Sequence, residues 1–167
     1  SGLHQRPWPE ARYNVGGVEL PRPFRIIRNS PIALFTSDME KSLAFYRDTL
    51  GLALTETVAY QNHTCAFLRT NTEHHSLALY PVALRNELGV WEDSICAHFG
   101  LQVQSYQQLR DAVKFLRERG ITIRHLPPEL TPGMDYSALA IAPDGHGVLL
   151  YYYMEQIGWD GRPRPAD

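Results

Sequence analysis

Neutral imidazole is both a frequent metal ligand and the acid or base best matched to neutral pH, so chemistry is sought first among the seven histidines. His74 and His75 are adjacent and open the run His-Ser-Leu-Ala-Leu-Tyr80. Neighbours on a strand face opposite ways, so only one of the two is expected to point inward. His75 is read as that one, a candidate catalytic acid or base, with His74 a candidate ligand contact. His98 lies in another apolar run, Ile95 to Val103, where it either faces a cavity or bonds a carbonyl as a half-buried strand residue. His63, His125 and His146 fall in loops or turns and read as surface residues, and His4 belongs to a proline-rich start. The last apolar stretch, Leu149-Leu-Tyr-Tyr-Tyr-Met154, is aromatic, and alternation sends Tyr151 and Tyr153 to the face of Leu149. That face is either sheet packing or a wall for a planar ligand, with Asp135 and Tyr136 adding polar contacts. Cys65 and Cys96 sit in apolar stretches and read as small core residues.

The elements that must position these residues alternate in a repeated order. A strand from Ile26 to Thr36 is followed by a helix from about Asp38 to Leu50, with Asp38 or Ser37 as its N-cap and Gly51 after it. Met39, Leu43, Tyr46 and Leu50 form its apolar stripe. Strands near 53 to 60, 64 to 69 and 75 to 80 come next, then a loop from Pro81 to Asp93. The order recurs: a strand from Ile95 to Val103, a helix from Ser105 to about Arg119 with a Ser105/Gln108 capping box, and strands near 121 to 125, 136 to 142 and 147 to 153. Pro31 precedes Asp38 by the same seven residues that separate His98 from Ser105, which puts Pro31 and His98 at equivalent places.

Two consecutive βαβββ units exclude a doubly wound parallel sheet. The expected fold is α+β, with tandem βαβββ modules (about 24 to 81 and 94 to 157) forming a curved, mostly antiparallel sheet around a central cavity. Residues 1 to 23, rich in proline and containing Gly16-Gly17, read as an extended arm, and 158 to 167 as a tail. A formal charge of -2 from 16 basic and 18 acidic residues, mixed along the chain, excludes the basic patch that nucleic acid requires. No apolar run approaches a membrane span, and the N-terminus lacks a signal-peptide pattern, so a cytoplasmic location is expected.

Four stretches carry a resemblance. Asp38-Met-Glu-Lys-Ser-Leu-Ala-Phe-Tyr-Arg-Asp-Thr-Leu-Gly-Leu52 resembles the first helix of the vicinal-oxygen-chelate superfamily. Glu73-His-His-Ser-Leu-Ala-Leu-Tyr-Pro81, Ala97-His-Phe-Gly-Leu-Gln-Val-Gln-Ser105 and Pro143-Asp-Gly-His-Gly-Val-Leu-Leu-Tyr151 resemble the catalytic module of extradiol ring-cleaving dioxygenases. The resemblance implies a ferrous or manganous site built from two histidines and a glutamate, and a small aromatic substrate. Carried over, His98 matches the second metal-binding histidine and His75 the histidine that assists bound catecholate and oxygen. Pro31 and Leu149 stand at the other two metal positions, and neither side chain has a donor atom. The metal set is therefore read as degenerate, with His98 its sole remaining member. Glu155, six residues beyond Leu149, is about 20 Å away on an extended strand and does not substitute.

Three functions follow as expectations. The first is a protein of dioxygenase ancestry that binds a small planar molecule through His74, His98, Tyr136, Leu149 and Tyr151 and uses His75 for acid-base chemistry without a cofactor. The second is a non-catalytic module, or the C-terminal domain of a two-domain dioxygenase. The third is a metalloenzyme with altered ligands. Pairing into a homodimer is compatible with all three.

Overall fold

The computed structural model describes residues 12–90 and 93–165. Within the expected arm, β1 (Tyr13–Val15) and β2 (Val18–Leu20) pair as a small hairpin. Gly16 and Gly17 make its turn at φ +59 and +85, a left-handed pair that two-residue hairpin loops demand. The first module runs β3 (Ile26–Thr36), α1 (Met39–Leu43), β4 (Ala53–Tyr60), β5 (His63–Arg69) and β6 (Leu77–Pro81). A four-residue helix, α2 (Arg85–Leu88), follows, and the second module runs β7 (Cys96–Val103), α3 (Tyr106–Glu118), β8 (Ile123–Arg124), β9 (Ser137–Ile141) and β10 (Gly147–Tyr151).

All eight module strands form one curved sheet in the order β4-β5-β6-β3-β7-β10-β9-β8. Each module places its last strand parallel to its first, β6 on β3 and β10 on β7, and the modules join by antiparallel pairing of β3 with β7. The two halves are thus edge-joined parts of one sheet.

The helices start as their caps dictate. Asp38 accepts from the Lys41 amide at 3.1 Å, and Ser105 from the Gln108 amide at 3.1 Å. The Gln108 side chain, expected to close the capping box on Ser105, instead accepts from the Arg25 amide at 2.9 Å and ties the entry of β3 to α3. The first helix widens into a π-turn over Ala44–Thr49. One extra residue in that turn rotates everything after it out of the stripe, so Met39, Leu43 and Tyr46 pack under the sheet while Leu50 is 56% exposed and Leu52 takes its place. The expectation for Leu50 is corrected accordingly.

The segment expected to be a plain loop after Pro81 holds α2, and it supplies Leu84 and Leu88 to the concave face of the sheet. With Leu130, they cover Phe35, Phe67 and Tyr80. Each such leucine, buried to 2% exposure or less, contributes about 1.5 to 3 kcal/mol. The convex face is covered by the two main helices, α1 over Leu68 and Leu79, and α3 over Leu150 and Val103.

Candidate functional site

His74 and His75 lie in a bend before β6, which begins only at Leu77. Strand alternation does not operate there, and both rings are buried, His74 at 0% and His75 at 1% exposure. Their Nδ1 atoms meet at 2.9 Å. The expectation that one of the two points away is thereby corrected. Phe67 stacks edge-on against both rings, 4.9 Å from His75 and 6.1 Å from His74.

Glu56 completes the row: its Oε1 is 2.6 Å from His74 Nε2. On a regular β4 this carboxylate would share the face of Leu54, which packs under α1. The pairing of β4 with β5 slips between Leu54 and Glu56, so that Leu54 opposes Leu68 while Glu56 opposes Phe67. This bulge exchanges the faces of the strand, and beyond it Glu56, Val58 and Tyr60 turn to the concave side. Thr55, the bulged residue, donates from Oγ1 to the His74 carbonyl at 2.6 Å and accepts from Arg69 at 2.8 Å. The His74 amide donates to the Glu155 carbonyl at 2.7 Å. Gly133 lies so close that a Cβ there would come within 2.4 Å of His74 Cγ. His74 is therefore fixed through its ring, its amide and its carbonyl.

His98, on β7, is 1% exposed. Tyr80 donates its hydroxyl proton to the Leu130 carbonyl, so the phenol oxygen, 3.3 Å from His98 Nε2, accepts from an Nε2–H. Neutral His98 then carries a bare lone pair on Nδ1, and that atom is buried without a partner. Burial lowers the His98 pKa to about 4. Burial, and then the neighbouring His74 and His98, hold His75 well below the usual imidazole range. Burial likewise pushes the Tyr80 phenol up and the Cys65 thiol to about 12, which keeps both protonated.

The remaining expected residues divide. Leu149 is fully buried on the concave face, opposite Leu139 and beside Gly100. Tyr151 is also buried, and its hydroxyl donates to the Ser30 carbonyl at 2.7 Å, so it ties β10 to β3. Tyr136 is 58% exposed and lies 5.1 Å from the Tyr106 ring of α3, away from the histidines. Pro31 abuts Gly100. Glu155 is held by the Arg164 amide at 2.7 Å. His125 is exposed, while His63 and His146 are half-buried, His146 lying 3.4 Å from Ser94 Oγ. Thr55, Glu56 and Tyr80 escape a sequence reading. Tyr80 sits in a run that was singled out, but nothing in the letters of β4 announces a bulge.

Among the described residues no three His, Cys, Asp or Glu side chains assemble a metal site. Of the three positions Pro31, His98 and Leu149, only His98 has a donor atom, and its Nε2 is committed to Tyr80. These residues do not fit a resident iron or manganese ion. A cleft of 890 Å³ opens beside the cluster, walled by Glu56, Val58, Thr131, Gly133, Met134 and Tyr153.

Residues 29–150 match the family model described as the Glyoxalase/Bleomycin resistance protein/Dioxygenase superfamily. The chain is 26% identical over 127 residues to a 2,2',3-trihydroxybiphenyl dioxygenase of Sphingomonas paucimobilis, covering 76% of this chain and 42% of that protein. It is 29% identical over 127 residues to a manganese-dependent 2,3-dihydroxybiphenyl 1,2-dioxygenase of Geobacillus genomosp. 3, covering 75% and 36%. The crystal structure of the trihydroxybiphenyl dioxygenase from Sphingomonas wittichii RW1 superimposes with a TM-score of 0.62 at 26% identity, over 77% of this chain and 43% of that one. An extradiol ring-cleaving dioxygenase from B. fuscum shares the fold with a TM-score of 0.64 at 19% identity, over 82% and 35%. The chain thus spans less than half the length of these relatives. No described helix is long and apolar enough to cross a membrane.

Proposed function

Since this chain belongs to the glyoxalase/bleomycin resistance protein/dioxygenase superfamily, we propose that it binds a small aromatic molecule with adjacent hydroxyl groups on the concave face, using His75 as proton acceptor and no resident metal. The observation that carries this reading is the buried, unpartnered Nδ1 of His98. A buried acceptor without a donor costs about 1 to 3 kcal/mol, and a ligand hydroxyl donating to it removes that cost. His75, electrostatically coupled to His98 and kept neutral chiefly by burial, is free to take the proton of the second hydroxyl. Two relatives are named for hydroxylated biphenyls, which supports a planar diol as the ligand class. The 890 Å³ cleft opens at the Glu56 end of the row.

Calorimetric titration with catechol, 2,3-dihydroxybiphenyl and unsubstituted biphenyl tests the reading. The diols are expected to bind at least about tenfold more tightly than biphenyl, and the His98→Ala variant to lose that preference. Equal affinity for all three, or no binding of either diol, overturns it.

A further inference from the structure

We propose that Glu56 and His74 are positioning residues that hold His75 in its Nδ1–H tautomer, make Nε2 its basic nitrogen, and receive the positive charge when Nε2 gains a proton. This rests on the reading of His75 as a proton acceptor, yet the tautomer can be measured with no ligand present.

Two short contacts fix where the protons of the row lie. An ionised carboxylate can only accept, so at 2.6 Å from Glu56 the His74 Nε2 must be the donor. A neutral His74 then has a bare Nδ1, which also can only accept. The atom facing it at 2.9 Å is His75 Nδ1, which must therefore carry the hydrogen, and the unprotonated nitrogen of His75 is Nε2. The tautomer of a functional imidazole is set by whatever its other nitrogen bonds to, and here that partner is a second imidazole with a carboxylate behind it.

The same row resolves a conflict in the site. A base must accept a proton, but His75 is 1% exposed, so a charge resting on it is poorly solvated. When Nε2 takes a proton from a hydroxyl, the Nδ1 proton can cross to His74 Nδ1. His75 ends neutral as its Nε2–H form, and the imidazolium sits on His74 against the Glu56 carboxylate. One O–H bond breaks, one N–H bond forms at Nε2, and one proton changes nitrogen between the rings; no electrons are gained or lost. Glu56, whose side chain is 30% exposed, lines the open cleft, so the resulting ion pair borders solvent. The bulge at Thr55 aims the carboxylate, and the Thr55 and Glu155 bonds fix the His74 backbone, so the row is held from both sides.

The experiment is long-range proton–nitrogen NMR of the whole chain with ¹⁵N-labelled histidine near neutral pH. The expected spectrum shows His75 protonated on Nδ1 with at least about a tenfold excess over the Nε2–H form, and His74 protonated on Nε2. In Glu56→Ala the His75 excess should fall by about the same factor while the amide spectrum stays folded. A wild-type His75 protonated on Nε2 overturns the proposal without any variant, and so does a His75 tautomer unchanged in folded Glu56→Ala. A merely structural Glu56 would alter stability and leave the ring nitrogens as they are. Failure of the diol titration leaves this measurement untouched, so the two readings fail separately.

Discussion

The two modules repeat one topology, each with its last strand parallel to its first, yet their concave faces are unlike. In the first, Glu56, His74 and His75 form a polar row, its two imidazoles buried and its carboxylate bordering the open cleft. In the second, the equivalent surface is His98 amid Gly100, Leu139, Gly147 and Leu149, so tight that a Cβ on Gly147 would come within 2.6 Å of the Ala97 carbonyl. A duplicated scaffold thus need not share its chemistry between its copies. One copy holds a proton-bearing row, and the other presents one lone-pair nitrogen in an apolar wall.

The apolar side is the more sensitive to substitution. Leu149→Glu places an unpaired carboxylate at a fully buried position, and a loss of about 4 kcal/mol is expected in urea unfolding. Recovery of that loss by added manganese would show that the second half still frames a metal site, against the reading above. Acid should act next most strongly. The unfolded chain protonates His98 near its ordinary 6.5, whereas the folded protein resists until about 4. The stability this represents is full above about pH 6.5 and is lost as pH falls towards 4, up to about 3 kcal/mol at 1.4 per unit. Unfolding midpoints between pH 7 and 4 test this, and His98→Gln should flatten the slope.

Two smaller effects are expected on the polar side. Gly133→Ala adds a methyl group within 2.4 Å of the His74 ring at a backbone φ of +78. A cost of about 2 kcal/mol is expected in thermal or urea denaturation, along with displaced His74 ring signals. Thr55→Val removes the donor to the His74 carbonyl and the acceptor for Arg69. Its expected cost is about 1 kcal/mol, and a loss below detection would mean that the Glu155 bond alone fixes His74.

The fold was largely legible because it is written in local signals. Asp38 and Ser105 cap the helices they were expected to cap, and the seven-residue offset that equated Pro31 with His98 follows the actual repeat of the modules. The site was legible only in part, because it depends on departures from regular geometry. His74 and His75 are both buried because they precede the strand, Glu56 joins them through a bulge, and Leu50 leaves its stripe through a wide turn. Each departure changes which way a side chain points without changing which element it belongs to. The Gly16-Gly17 hairpin is different, since its turn signal stood in the sequence and was outweighed by the surrounding prolines.

The bulge at Thr55 has a further effect on the molecule's behaviour in crowded solution. β4 is one of the two outer strands of the sheet, eight residues long, and Ala-Leu-Thr-Glu-Thr-Val-Ala-Tyr holds a single charged residue, which is turned towards His74. An outer strand so poor in outward charge is the kind on which a second molecule could add its own strand. A break in the spacing of the backbone donors and acceptors at its third residue denies an incoming strand a continuous template. The irregularity that aims one carboxylate therefore also discourages the sheet from growing beyond its own chain.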